Sequence, residues 1–287
     1  MPELPEVEVV KKSLINKTQN LIVKAVKIND GRLRYKIDRN KIKKIIGLKF
    51  KKISRRSKYL LFFFNKDVVM LVHLGMTGKF FFVNRKRTKY KTSFYYDINE
   101  DKDKKHDRII FNLSNNQKLI YNDVRKFGFI KFIQRASLEQ NAHLKHLGPE
   151  PMSAKFNIGY FKDYTTGKER NIKNILMDQK FISGLGNIYV NEILFLSKVN
   201  PFLSTFKLTS DTWETIFSNI RKILKKAIKN NGTTLSDMTY YLPLGDYGNH
   251  QNNLLIYGRH ICFSCSGKID KLFIDSRATY MCYKCQK

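Results

Sequence analysis

The spacing of apolar side chains changes once along this chain, from a period of two to a helical period, and that change constrains the fold more than any other feature. Before it lie short aromatic and β-branched runs: Lys24 to Ile28, Leu48 to Ile53, Tyr59 to Phe64, Val68 to Leu74, Lys79 to Val83, Phe94 to Ile98, Arg108 to Leu113, Lys118 to Tyr121 and Gly128 to Ile133. Broken by Gly, Asn and Asp, they predict the strands of an antiparallel sandwich. The charged stretch Asn99 to Asp107 predicts a solvated loop. Ahead of the strands, Val7, Val10 and Leu14 recur at helical spacing from Pro5, behind an acidic opening turn of Glu3, Glu6 and Glu8 that suits a helix N-terminus.

The change falls around Leu147-Gly-Pro-Glu-Pro151. Beyond it, Ile172 to Phe181 and Ile188 to Lys198 read as helices meeting across a turn that carries Gly184 and Gly186. Asp211 with Glu214 predicts an N-cap pair for a third helix bearing Ile216, Ile220, Ile223, Leu224 and Ile228 and ending at Asn230-Asn231-Gly232. Its Arg221, Lys222, Lys225, Lys226 and Lys229 read as a solvated face. The expected class is α+β: residues 1–134 an antiparallel β-sandwich domain with a flanking helix, 135–152 a linker, 153–250 a helical domain ending in a loop at about 235–253, and 251–287 a metal-bearing hairpin.

That last assignment rests on cysteines. All four lie near the C-terminus, as Cys262-x2-Cys265 and Cys282-x2-Cys285. Two such knuckles can close a tetrahedral zinc shell, and no cysteine is left over for catalysis. His143 and His146 share a ligand-like spacing but lack carboxylate or cysteine companions, which predicts surface positions; His260 lies near Cys262, but four thiolates already complete a shell.

Charge narrows the partner. Lys plus Arg number 54 against 24 Asp plus Glu, a formal net charge of +30. Such an excess displaces counterions from a phosphate backbone and predicts a nucleic-acid partner. No apolar run approaches the length of a membrane span, and the acidic N-terminus lacks the layout of a signal peptide, so the expected location is the cytoplasm.

The first residues hold the most reactive chemistry. With Met1 removed, Pro2 would carry a free secondary amine, and an α-amino group titrates near about 8 against about 10.4 for lysine, so more of it is nucleophilic at neutral pH. Attack on the C1′ carbon of a nucleotide would displace the base and leave an iminium ion, with Glu3 beside the reacting carbon to move protons.

The chain resembles the formamidopyrimidine-DNA glycosylase family, which removes oxidised purines in base excision repair. The likeness is carried by Pro2-Glu-Leu-Pro-Glu-Val-Glu8, Arg56-Ser-Lys-Tyr-Leu-Leu61, His73-Leu-Gly-Met-Thr-Gly78 and Asn122-Asp-Val-Arg-Lys-Phe-Gly128, then Leu176-Met-Asp178, Gly184-Leu-Gly-Asn-Ile-Tyr189 with Asn191-Glu192, Gly232-Thr-Thr-Leu235, Tyr257-Gly-Arg259 and the cysteine knuckles. It implies a helix-two-turn-helix second domain with a four-cysteine zinc finger, and a monomer acting on double-stranded DNA that holds oxidised bases or abasic sites. It implies Pro2 as Schiff-base nucleophile, Glu3 as proton donor, Glu6 in support, Lys58 as donor for β-elimination and Arg277 for δ-elimination. Met76, Arg125 and Phe127 would fill the gap left by an extruded nucleotide. His73, His106, Lys168, Asn187 and Arg259 would contact DNA. Zinc, held by Cys262, Cys265, Cys282 and Cys285, would be structural.

One departure stands out: Gly248-Asn249-His250 replaces the family's usual Gly-Tyr-Phe, in the loop that relatives fold over the extruded lesion, which leaves lesion selectivity open. The nearest rival is the endonuclease VIII type, which acts on oxidised pyrimidines with the same proline; Leu4, where that branch typically has glycine, and the Met76, Arg125 and Phe127 set favour the purine branch. A zinc-bearing DNA-binding protein without activity would leave Pro2, Glu3 and Lys58 unexplained.

Overall fold

The structure, a computed structural model, describes residues 1–83, 89–91, 94–95, 104–233, 239–240 and 249–287. The chain divides into two compact units, Met1–Lys145 with Asn230–Gln251, and His146–Lys229 with Asn252–Lys287.

The first unit opens with α1 (Leu4–Thr18), whose Val7, Val10 and Leu14 are fully buried. Two antiparallel sheets follow. The five-stranded sheet runs β1 (Val23–Ile28), β8 (Asp107–Leu113), β9 (Lys118–Asn122), β5 (Lys79–Val83), β6 (Lys89–Lys91). The four-stranded sheet runs β10 (Phe129–Gln134), β4 (Val68–His73), β3 (Tyr59–Phe64), β2 (Phe50–Arg56). Phe62, Met70 and Val72 of the second sheet share one core with Phe80, Phe82, Phe111 and Tyr121 of the first and with the apolar stripe of α1. Each such side chain removed from water contributes about 1.5–3 kcal/mol, and Phe62 meets Phe80 with ring centroids 5.6 Å apart. The first helix is therefore packed on β2 and β3 of the four-stranded sheet with its apolar stripe in the shared core, and its N-terminal residues are held with it.

Most expected strands match within two residues. A short helix, α2 (Arg39–Lys43), adds to them; Asp38 caps it by accepting from the Asn40 and Lys41 N–H groups. Of the run Phe94 to Ile98, Phe94–Tyr95 forms β7 and pairs with β11 (Thr239–Tyr240), while 96–98 fall outside the described residues. So do most of the charged loop 99–107 and, within the loop at 235–253, residues 235–238 and 241–248. His143 is not a surface residue. It is half-buried among Tyr35, Tyr59 and Phe129, and its Nε2 lies 2.8 Å from Lys131 Nζ.

The second unit contains α3 (Ile158–Thr165), α4 (Ile172–Met177), α5 (Asn187–Leu196) and α6 (Ser210–Lys229) around one apolar core, with the hairpin β12 (Asp270–Ile274) and β13 (Arg277–Met281). Three expectations are corrected. The helix from Ile172 stops at Met177, because the Asp178 carboxylate accepts the Lys180 N–H at 2.9 Å and pairs with Arg170 at 3.0 Å, which sets an extended cap. The cap of α6 is Thr209, whose hydroxyl accepts the Thr212 N–H, so Asp211 lies inside the first turn. Arg221 is no part of a solvated face: its guanidinium donates to the carbonyls of Pro151, Ser153 and Phe156.

Candidate active site

In the first unit, Pro2, Glu3 and Glu6 are buried while Met1 is 46% exposed. The start of α1 explains how two carboxylates come to be buried there. Glu3 is the N-cap, its side chain accepts the Glu6 N–H, and Glu6 Oε2 accepts the Glu3 N–H at 2.9 Å, a reciprocal capping box. Glu6 Oε1 accepts the Thr233 N–H at 2.9 Å. Both carboxylate oxygens of Glu6 are thus fixed by main-chain donors. Gly232 makes the approach possible, because its φ is +82° and a Cβ there would lie 3.1 Å from Glu6 Cγ and Oε1. The Gly232 carbonyl in turn accepts the His250 N–H at 3.1 Å, so the departing residues Asn249 and His250 close onto the turn that holds Glu6.

Lys58 sits on the tight turn between β2 and β3, next to Ser57, whose φ is +55°, and is only 7% exposed. His73 is paired in register with Tyr59 on one side and Phe129 on the other and stacks on the Phe129 ring. Burial first, and then the charges of Lys58, Arg34, His143 and the chain's N-terminus, push the imidazole down to about 4. It is therefore neutral at physiological pH, and its Nδ1 accepts the Gly75 N–H at 3.1 Å. The same causes place the charges of the N-terminus and of Lys58 near the His73 ring.

Met76, half-buried, lies in the turn that follows β4. The Arg125 guanidinium stacks 4.5 Å from the centroid of the Phe127 ring, itself 47% exposed. His106 Nδ1 lies 3.2 Å from an Arg108 nitrogen.

In the second unit Arg277 is exposed at the tip of the hairpin, after Asp275 and Ser276, with φ of 46° and 61°. Two successive left-handed residues make a two-residue turn that follows the sheet twist. Behind it, the Ala278 carbonyl accepts from Lys173 Nζ at 2.9 Å, Asn187 Nδ2 at 2.9 Å and Asn191 Nδ2 at 3.4 Å. Lys173 also donates to Thr279 Oγ1 at 2.7 Å, and burial, then the Arg277 charge, lowers it to about 8. Lys168 lies with its ammonium 3.4 Å from the Tyr164 ring centroid. Arg259 donates from Nε to the Leu254 carbonyl at 2.6 Å. Buried Glu192 accepts the N–H groups of Leu255, Ile256 and Tyr257, which orders the chain entering the cysteine knuckles.

The four cysteine Sγ atoms all lie within 4.8 Å of one another, with Cys262 to Cys285 at 3.7 Å and Cys265 to Cys282 at 3.5 Å. A tetrahedral shell with metal–sulfur bonds of about 2.3 Å requires sulfurs about 3.8 Å apart, so the thiolates fit one metal ion. His260 is exposed and outside that group.

Lys173 and Glu192 gain their importance only from the fold. In the sequence Glu192 stands as one member of a motif, without a role of its own. Lys173 carries a faint signal, as a lysine beside the buried Ile172, Ile175 and Leu176 in the helical run Ile172 to Met177.

Comparison with known proteins agrees over the whole chain. Residues 1–130 match the formamidopyrimidine-DNA glycosylase N-terminal domain, and residues 147–239 match the formamidopyrimidine-DNA glycosylase H2TH domain. A formamidopyrimidine-DNA glycosylase of Rickettsia massiliae is 40% identical, covering 100% of this chain and 97% of the relative; one of Lactobacillus gasseri is 35% identical over 100% and 99%. The crystal structure of Lactococcus lactis Fpg in complex with DNA containing N7-benzyl-Fapy-dG superposes with a TM-score of 0.85 at 30% identity, covering 100% of both chains. With both domains matched in order and relatives aligned end to end, the chain belongs to the formamidopyrimidine-DNA glycosylase family.

Proposed function

We propose that this chain is a bifunctional DNA glycosylase and abasic-site lyase of base excision repair that removes oxidised purines, 8-oxoguanine and formamidopyrimidines, from duplex DNA in the cytoplasm, acting as a monomer. The observation that carries the reading is the buried Pro2-Glu3-Glu6 start of α1, where both Glu6 oxygens are fixed by main-chain N–H groups. A helix end packed this tightly holds a chain terminus as still as an internal residue, which a terminal nucleophile requires. No described helix is long and apolar enough to cross a membrane.

Once Met1 is removed, the Pro2 nitrogen attacks C1′, the bond to the damaged base breaks, and Glu3 supplies protons as the sugar ring opens. The resulting iminium acidifies the C2′ proton. Its loss expels the 3′ phosphate with Lys58 as donor, and a second elimination at the 5′ side uses Arg277. Met76, Arg125 and Phe127 occupy the emptied stack, and His73, His106, Lys168, Asn187 and Arg259 position the backbone. His73 is buried and neutral, so it acts as a hydrogen-bonding ring and not as a phosphate cation. Residues 1–134 then carry the chemistry, 153–250 the grip on DNA and the loop at about 235–253, and 251–287 the hairpin that presents Arg277. Zinc is the ion that four thiolates at this spacing suit, and its part is to hold that hairpin.

Lactococcus lactis Fpg has also been solved with DNA containing an oxidised pyrimidine, which keeps pyrimidine lesions in view as a second substrate. Incubating the processed protein with an 8-oxoguanine:cytosine duplex and borohydride should give a covalent adduct at Pro2, with intact mass confirming that Met1 is gone. No adduct, or equal trapping by Pro2→Gly, sinks the reading; a dihydrouracil duplex in parallel separates the two lesion classes.

A further inference from the structure

Asp123 is fully buried in the first unit. Its Oδ1 accepts the Thr77 hydroxyl and the Lys126 N–H at 3.1 Å; its Oδ2 accepts the Gly128 N–H at 2.9 Å and lies 3.4 Å from the Tyr121 hydroxyl. Burial first, and then the Asp123 charge, keeps the Tyr121 phenol well above its usual range, so it stays a donor. Four donors converge on this one buried side chain, and leaving any of them unpaired in the core would cost free energy.

Three of the donors belong to two different turns, and the fourth, Tyr121, to strand β9. Thr77 follows Met76 in the turn between β4 and β5, while Lys126 and Gly128 flank Phe127 in the segment between β9 and β10. Thr77 closes the link from its own side, because its hydroxyl oxygen accepts the Arg125 N–H at 3.0 Å. The backbones of the turns touch directly: a Cβ on Gly75 would come within 2.5 Å of Gly128 N and Phe127 C. Arg108 extends the network by donating from Nε to the Asp123 carbonyl at 2.8 Å while its guanidinium faces His106.

We infer that Asp123 and Thr77 are positioning residues that lock the Met76 turn and the Arg125–Phe127 turn into a single rigid wedge, so that gap filling and contact with the orphaned base occur together. The inference rests on the proposed gap-filling role of Met76, Arg125 and Phe127. Neither Asp123 nor Thr77 reaches the surface, so neither touches DNA. Two independent turns would each have to be ordered on binding, and the shared carboxylate removes that entropic cost beforehand. It also fixes where the Arg125 main chain starts, and therefore which partner base its side chain can reach.

The test uses Thr77→Val, which keeps the shape and removes the hydroxyl, Thr77→Ser, which restores it, and Asp123→Asn. A duplex with 2-aminopurine opposite a tetrahydrofuran abasic analogue reports wedge insertion by fluorescence without any excision, so it stays informative even if the lesion assignment is wrong. Excision of 8-oxoguanine opposite cytosine and adenine reports partner discrimination, and borohydride trapping on a single strand holding an abasic site reports Pro2 chemistry where no gap exists. Thr77→Val should lower insertion and duplex excision about tenfold and narrow the cytosine-to-adenine preference, leave single-strand trapping within about twofold, and be rescued by Ser. Wild-type insertion in both Thr77→Val and Asp123→Asn, or equal loss on duplex and single strand, overturns the inference. Failure of wild type to excise 8-oxoguanine while insertion still depends on Thr77 overturns the lesion assignment alone.

Discussion

Glu6 and Thr233 stand 227 positions apart in sequence and meet at 2.9 Å, carboxylate oxygen to main-chain N–H. The contact is possible only because Gly232 brings its backbone against the Glu6 side chain in a left-handed conformation. Gly232→Ala therefore meets two penalties, a strained φ and a methyl group 3.1 Å from Glu6, together about 1–3 kcal/mol. The variant should unfold at lower denaturant, and its rate of borohydride trapping should fall about tenfold as Glu6 shifts. Trapping at the wild-type rate would show that the position of Glu6 does not govern Pro2.

The neutral state of His73 has a thermodynamic signature. The unfolded chain takes up a proton on this imidazole near its ordinary 6.5, whereas the native state resists until about 4. Its contribution is complete above 6.5 and is lost as pH falls through that window, at up to about 1.4 kcal/mol per unit. Comparing urea unfolding at about pH 7 and about pH 5, His73→Asn should lose about 2 kcal/mol less than wild type. Direct titration of the His73 ring by NMR near its ordinary value would contradict its burial.

Lys173→Met keeps an apolar stem in α4 but leaves the Ala278 carbonyl and Thr279 hydroxyl without their lysine donor. Arg277 is the preceding residue, so its placement should loosen while Pro2 is untouched. On an abasic duplex the ratio of δ- to β-elimination products, read on a denaturing gel, should fall several-fold with the first cleavage little changed. An unaltered ratio would mean that the clamp supports the fold without setting Arg277.

Metal removal should act through the same hairpin. Native mass spectrometry is expected to find one zinc per chain, and a strong chelator should release it, with loss of DNA affinity and of δ-elimination before loss of global secondary structure. A chain that keeps full affinity for DNA without metal would remove the structural role assigned to the four cysteines.

The strands are legible in the sequence because each carries aromatic or β-branched residues in short runs between breakers, and a buried sandwich core leaves little freedom in where such runs begin. α2 is not, since Arg39–Lys43 holds a single buried apolar residue, Ile42, and owes its existence to the Asp38 cap. The early end of α4 is hidden because Asp178 stops the helix through side-chain bonds that apolar spacing does not register. Within the candidate site, the residues named from motifs fall on turns and helix ends, whereas the roles of Asp123 and Lys173 depend on partners that only folding brings near. His143 escapes a reading of the sequence for the same reason: no local pattern reveals three aromatic neighbours drawn from distant segments.

The unit that holds Pro2 is completed by residues 230–251, after the chain has left to build most of the other unit. During synthesis, then, a ribosome must pass Thr233 before Glu6 can gain that partner, so the carboxylate that caps the first helix is held on both oxygens only in a chain made nearly to its end.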